Sequence, residues 1–223
     1  TDPYPVPPGF EAHGRPMILL ETAREMALAA AGFGDPRETA FLDQAAGWMD
    51  EILDRCRDPA DGLIAEMRSD DPARRATLLG QYINPGHMIE SMGFVIQLAR
   101  TLNRPERIAQ AVDTIRAACR IGWDVPFGGF PQYLHRTGGA PRGSVPPELA
   151  GQEMIRKLQE NWDNKLWWPH SEALFALLLA AAQTGEPDLM DWYAKAHDYT
   201  FATFPNPDPA IGEWIQIRTR DGQ

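Results

Sequence analysis

The segment Asn84-Pro85-Gly86-His87-Met88-Ile89-Glu90 sets an imidazole and a carboxylate three residues apart. On a helix that spacing puts both side chains on one face. Pro85-Gly86 reads as the end of a loop, so His87 falls in the first turn of the helix that follows. There the positive end of the helix dipole favours the neutral imidazole, the form suited to a base. Glu90 has two readings. It orients the imidazole or holds a sugar hydroxyl, or it caps the helix by accepting from backbone N–H groups. A second segment, Lys165-Leu166-Trp167-Trp168-Pro169-His170-Ser171-Glu172-Ala173-Leu174, gathers two indoles, a histidine and a carboxylate ahead of an apolar stretch. Pro169 suits a first helical turn, which would hold Glu172 as well. Indole faces stack on the C–H faces of a pyranose, so this segment reads as one wall of a carbohydrate pocket. The competing reading makes Trp167 and Trp168 core fillers and Glu172 a cap. Polar groups leading an apolar helix need partners, which favours a site.

Other residues carry less. His13 and His197 have no clustered partner and read as surface or core residues, whereas His135 sits on a stretch that could line a mouth. Gly128-Gly129 and Gly138-Gly139 are turn glycines, and no phosphate-binding glycine motif occurs. Cys56 and Cys119 cannot build a disulfide framework, and no zinc-type ligand set is present, so no metal is expected.

The elements that must position these groups are helices. Apolar periodicity marks helices over residues 16–31, from Pro36, over 87–102, from Pro105 to about Ile121, over 166–182, and from Pro187 to Phe204. The fifth is nearly apolar after Glu172 and reads as deeply buried, with Leu174, Leu177 and Leu178 as a core stripe. Three joints repeat: Gly34-Asp35-Pro36, Asn103-Arg104-Pro105 and Gly185-Glu186-Pro187 each end one helix and start the next. A second joint recurs at Asp61-Gly62-Leu63, Gly128-Gly129-Phe130 and Gly212-Glu213-Trp214, each opening a short alternating stretch. The unit is therefore helix, tight turn, helix and a long loop with a hairpin, three times over. Helical hairpins whose long loops share one end predict an all-α toroid with a site at one mouth; a plain helical solenoid is the alternative.

With 223 residues, 43% hydrophobic and 23% charged, the composition is that of a globular protein and excludes disorder and fibrous repeats. The formal charge of −10 disfavours a nucleic-acid partner, and no apolar run reaches the ~18–20 residues of a membrane span. The expected location is the cytoplasm. Thr1 is not an initiator Met, and Arg220-Asp221-Gly222-Gln223 reads as a turn in mid-hairpin, so a piece of a longer chain is expected.

The two chemical segments resemble signatures of the N-acylglucosamine 2-epimerase family, also known in mammals as renin-binding protein. Asp208-Pro209-Ala210-Ile211-Gly212-Glu213-Trp214 is similar to its third motif, and Arg220-Asp221-Gly222 to the turn after it. The resemblance implies an all-α (α/α)6 barrel, of which residues 1–223 would form one incomplete domain, lacking early helices and a C-terminal Phe-His-x-Pro-Arg motif with a second catalytic histidine. It implies reversible epimerisation at C2 of an open-chain aldose, interconverting N-acylglucosamine and N-acylmannosamine. By resemblance His87 and Glu172 fall on catalytic positions, and Glu90, Trp168 and His170 would line the sugar site. No metal or redox cofactor is implied; ATP is an effector of some members and a candidate one here, and a homodimer is a candidate assembly. The stretch 136–164 departs from the mammalian pattern, which bears on substrate identity. An aldose–ketose isomerase, a non-catalytic sugar- or protein-binding remnant, and a glycoside hydrolase using Glu90 and Glu172 are the competing functions.

Overall fold

The computed structural model describes residues 6–223. In chain order the first third holds β1 (Glu11–Ala12), α1 (Gly14–Phe33), α2 (Glu38–Glu51) with a π-helical extension Ile52–Cys56, and β2 (Met67–Arg68). Two single-turn helices follow, α3 (Pro72–Arg75) and α4 (Leu78–Gln81), then β3 (Tyr82–Ile83), α5 (Pro85–Thr101), α6 (Pro105–Gly122) and β4 (Leu134–His135). The last third holds α7 (Glu153–Glu160), β5 (Lys165–Leu166), α8 (Trp167–Thr184), α9 (Pro187–Thr203) and β6 (Ile217–Arg218). The helix ends obey local chemistry. Gly34 and Gly185 close α1 and α8 in the left-handed region, and Pro105 and Pro187 open α6 and α9 where a missing N–H costs nothing.

Three helical hairpins, α1–α2, α5–α6 and α8–α9, lie side by side, with α5 packed between α1 and α8. The expected α/α toroid architecture is what forms, as an arc of three hairpins among the described residues. Residues Met88, Ile89, Met92, Val95, Ile96, Leu98 and Ala99 of α5 are buried in the main core. Each large side chain buried there contributes ~1.5–3 kcal/mol. The helix over Trp167–Thr184 is not buried all round, contrary to its composition. Ala173, Ala176, Leu177 and Ala180 face the core, but Phe175 and Leu178 are 46% and 48% exposed. Leu178 thus lies outside the expected core stripe. On the opposite flank of the arc, α1 exposes Ile18, Leu28 and Phe33.

Two of the long loops close on themselves through antiparallel bridges, Arg57 with Ile64 and Pro205 with Trp214. Beyond these, each recurring extended stretch pairs antiparallel with residues just before the first helix of its own unit: β2 with β1, β4 with β3, β6 with β5. Each unit is thus a strand, two helices and a returning strand, and all three strand pairs lie at the same end of the helices. A second apolar cluster sits there. Phe10, Met67, Leu78, Leu79 and Tyr82 pack with Leu149, Ile155 and Leu158 of the stretch 136–164.

Candidate functional site

Asn84 follows β3 and caps α5, its side-chain oxygen accepting from the backbone N–H of His87 at 3.2 Å. The cap is therefore Asn84, and Glu90 one turn further on is left for other work. Gly86 is required by packing: a Cβ there would stand 2.8 Å from Pro169 and 3.0 Å from Trp168. That close approach of α5 to α8 brings the Trp168 ring to 5.2 Å from the imidazole of His87, centroid to centroid, at 34°.

The partner of His87 comes from the first unit. Nδ1 of His87 lies 2.9 Å from Oε1 of Glu66, whose residue is only 8% exposed. A carboxylate only accepts, so the proton of this bond belongs to Nδ1. Glu66 is fixed through its backbone: its N–H donates to the Tyr82 carbonyl and its carbonyl accepts from the His13 N–H. Burial works against charge on both side chains, but their mutual attraction and hydrogen bond outweigh it. His87 titrates above its ordinary range and Glu66 below. A cavity of about 260 Å3 opens on this pair, walled by Tyr82 and Tyr133 and, from α7, by Met154 and Lys157.

Carboxylates line the neighbouring surface. Glu90 is pushed up to about 7, first by burial and then by the charges of Glu172, Glu66 and Glu21, against the pull of His87. Glu172 is raised by burial and by Glu21. Glu21, on α1, accepts from Arg24 at 2.8 and 2.6 Å. Each of α1, α5 and α8 thus contributes a carboxylate to one acidic patch. Glu172 stands in the second turn of α8, one turn deeper than expected, while Pro169 does lie in the first turn.

His170 corrects the sequence reading. Expected against a sugar, it is fully buried, with Nδ1 donating to the Leu166 carbonyl at 2.6 Å and Nε2 accepting from the Phe130 N–H at 2.9 Å. The rings of Tyr199 and Phe204 cover it at 5.1 and 4.8 Å. Burial lowers its pKa to about 3. With both nitrogens engaged and no access, it holds the loop after α6 to the start of α8. Gly129 permits this: its φ is +72°, and a Cβ would meet Tyr199 at 2.4 Å and His170 Nε2 at 2.8 Å.

Two residues escaped the sequence reading. Glu66 is a lone carboxylate within Leu63-Ile64-Ala65-Glu66-Met67, and that isolation in an apolar stretch was the available signal. His13 does have company. It is buried, Nε2 lies 3.2 Å from Ser91 Oγ, and Glu66 bears on it electrostatically, while burial takes it down to about 4 and keeps it neutral. His135 lies on β4 with Nδ1 2.9 Å from Thr137 Oγ1, and His197 lies on α9 beside Asp198. A larger cavity, about 400 Å3, lies behind β2 and is lined by several arginines. Two of these, Arg68 and Arg136, are already paired with Glu11 and Asp70 and with Asp58 and Asp61. Among the described residues no cluster of three or more metal-ligating side chains occurs, and no helix is long and apolar enough to cross a membrane.

Comparison with known proteins places these residues in a wider group. The family model for N-acylglucosamine 2-epimerase (GlcNAc 2-epimerase) matches residues 5–223. The N-acylglucosamine 2-epimerase of Bos taurus is 27% identical over 220 residues, covering 98% of this chain and 47% of its own. The chain therefore spans about half the length of the curated relatives it matches. Among solved structures, a sugar epimerase from a ruminal bacterium superposes with a TM-score of 0.70 at 13% identity, over 96% of this chain and 47% of that one. A D-mannose isomerase gives a TM-score of 0.67, also at 13% identity, over 96% and 50%. At such identities these two likenesses concern the fold alone.

Proposed function

The chain belongs to the N-acylglucosamine 2-epimerase family, and from that premise we propose that it carries half of the proton-transfer machinery of a sugar 2-epimerase acting on N-acylhexosamines or a related aldose. The observation that carries this reading is the Glu66–His87 pair, open to a cavity and flanked by Trp168. In an open-chain aldose the C1 carbonyl acidifies the C2–H bond. Nε2 of His87 takes that proton, the C–H electron pair passes into the carbonyl, and a flat enediolate results. The new imidazolium is balanced by Glu66. Return of a proton to the opposite face of C2 gives the epimer. By family resemblance that proton comes from the histidine of a Phe-His-x-Pro-Arg motif, a motif this sequence does not contain. Glu90, near half-protonated at neutral pH, is suited to donate to a sugar oxygen, with Glu172 beside it. Trp168 offers a stacking face.

The test is incubation with N-acetylmannosamine, mannose and cellobiose separately in D2O. Deuterium at C2 is the expected outcome, since His87 by itself can exchange that proton, and the C2 epimer accompanies it where a second acid serves the opposite face. A ketose with no C2 epimer would replace this reading by an aldose–ketose isomerase, and absence of exchange on all three sugars would refute it.

A further inference from the structure

We infer that Glu66 is a positioning residue for His87, fixing the Nδ1–H tautomer, aiming Nε2 at the sugar and supplying the counter-charge when the C2 proton arrives. This deepens the proposed function and rests on His87 being the proton-transfer group. Three observations support it. The contact is 2.9 Å and its carboxylate side is buried, so the geometry does not depend on solvent. Glu66 is pinned at both backbone groups, to Tyr82 and to His13, so its side chain has a fixed origin. And the pair joins two repeat units, since Glu66 precedes β2 of the first and His87 opens α5 of the second. The imidazole is therefore oriented by an element outside its own helix.

The charged and titratable groups around the pair come from every packed element. Glu90 follows on α5. His13 lies behind Glu66 at the start of α1 and is neutral; Glu21 stands further along that helix. Tyr82 on β3, Tyr133 and Lys157 wall the cavity. Trp168 of α8 covers the ring and Glu172 stands beyond it. Of these, Glu66 alone hydrogen-bonds the imidazole among the described residues. The helix N-terminus by itself disfavours an imidazolium, so a buried counter-ion is what lets His87 hold a proton for long enough to return it.

Histidine-labelled protein, with His87→Asn to assign the signal, gives a readout that needs no turnover. The 15N shifts of neutral His87 should report hydrogen on Nδ1 and a bare Nε2. Glu66→Gln keeps an acceptor for Nδ1–H but removes the charge. It should lower the His87 pKa, move the acidic limb of kcat/KM to lower pH by the same amount, and cut the plateau rate about tenfold or more. Glu66→Ala removes orientation as well and should lower the rate further, with a mixture of tautomers. Hydrogen on Nε2 in the wild-type protein would overturn the inference without any variant. So would an acidic limb and an NMR pKa that stay in place in folded Glu66→Gln. A wild-type protein with no C2 exchange would defeat the epimerase reading alone, because the NMR arm still decides the role of Glu66.

Discussion

His87 and His170 occupy corresponding places, each in the first turn or so of an inner helix, and they are chemically opposite. His87 meets a carboxylate through Nδ1 and lines a cavity. His170 meets a carbonyl and an amide and is sealed under Tyr199 and Phe204. One is driven to hold a proton, the other to refuse it. The surroundings of the second repeat the contrast in charge. Asp124, almost wholly buried, receives Lys165 at 3.3 Å and Arg220 at 2.8 Å, and Lys165 also donates to the Gly128 carbonyl. So the joint between the first and second units places a charged pair on a cavity, and that between the second and third seals its polar groups inside the protein. The difference is made by what the neighbouring loop delivers, since residue type and helix position are shared.

Substitution should separate the two joints, beginning with the largest effect. His87→Asn should reduce kcat by ~100-fold or more, the scale of a lost acid–base group, with the melting temperature almost unmoved. Near-normal turnover would remove His87 from the chemistry. Asp124→Ala leaves Lys165 buried without its counter-ion and should cost on the order of 3 kcal/mol in denaturant unfolding, with little change in the kcat of the folded fraction. His170→Ala strands the Phe130 N–H and the Leu166 carbonyl beside a cavity and should cost ~2–3 kcal/mol, again with kcat preserved. A large kcat loss in a stable His170→Ala protein would return His170 to the sugar site.

The smallest effect concerns Glu90. Its folded pKa, about 7, lies above the ordinary carboxyl value of 4.5, so the folded state binds the proton more tightly than the unfolded chain. Stability is therefore lost as pH rises from about 4.5 to 7, and the penalty is complete above that window. Glu90→Gln should stabilise the protein by ~1 kcal/mol at pH 8, after allowance for solvent screening, and hardly at all at pH 4. An equal change at both pH values would show that Glu90 does not feel its neighbours.

The long helices were legible because proline starts, glycine stops and apolar periodicity act within a few residues; Pro105 and Pro187 open α6 and α9 where the sequence places them. His87, Glu90 and Trp168 were legible for the same reason, as neighbours on two helix starts. Glu66 was not, because its role depends on a contact 21 residues away, across a boundary between units. His170 misled because a Trp-Trp-Pro-His-Ser-Glu string looks the same whether its imidazole faces a ligand or a backbone amide. The short strands misled similarly: alternation marks an extended stretch but does not say which distant stretch it pairs with.

The strand pairs that tie each unit's end to its own beginning have a consequence for how such a protein can vary. Because both ends of a helical pair are stapled at the mouth, a connecting segment can lengthen without pulling on the helices, and the entropy of closing a longer loop grows only logarithmically. The stretch from 136 to 164 shows the result: it leaves the second unit, builds α7, and returns beside the His87 cavity with Met154 and Lys157 in its wall. Diversification can therefore proceed by insertion at the rim, changing what the cavity admits while the Glu66–His87 pair beneath it stays where the helices hold it.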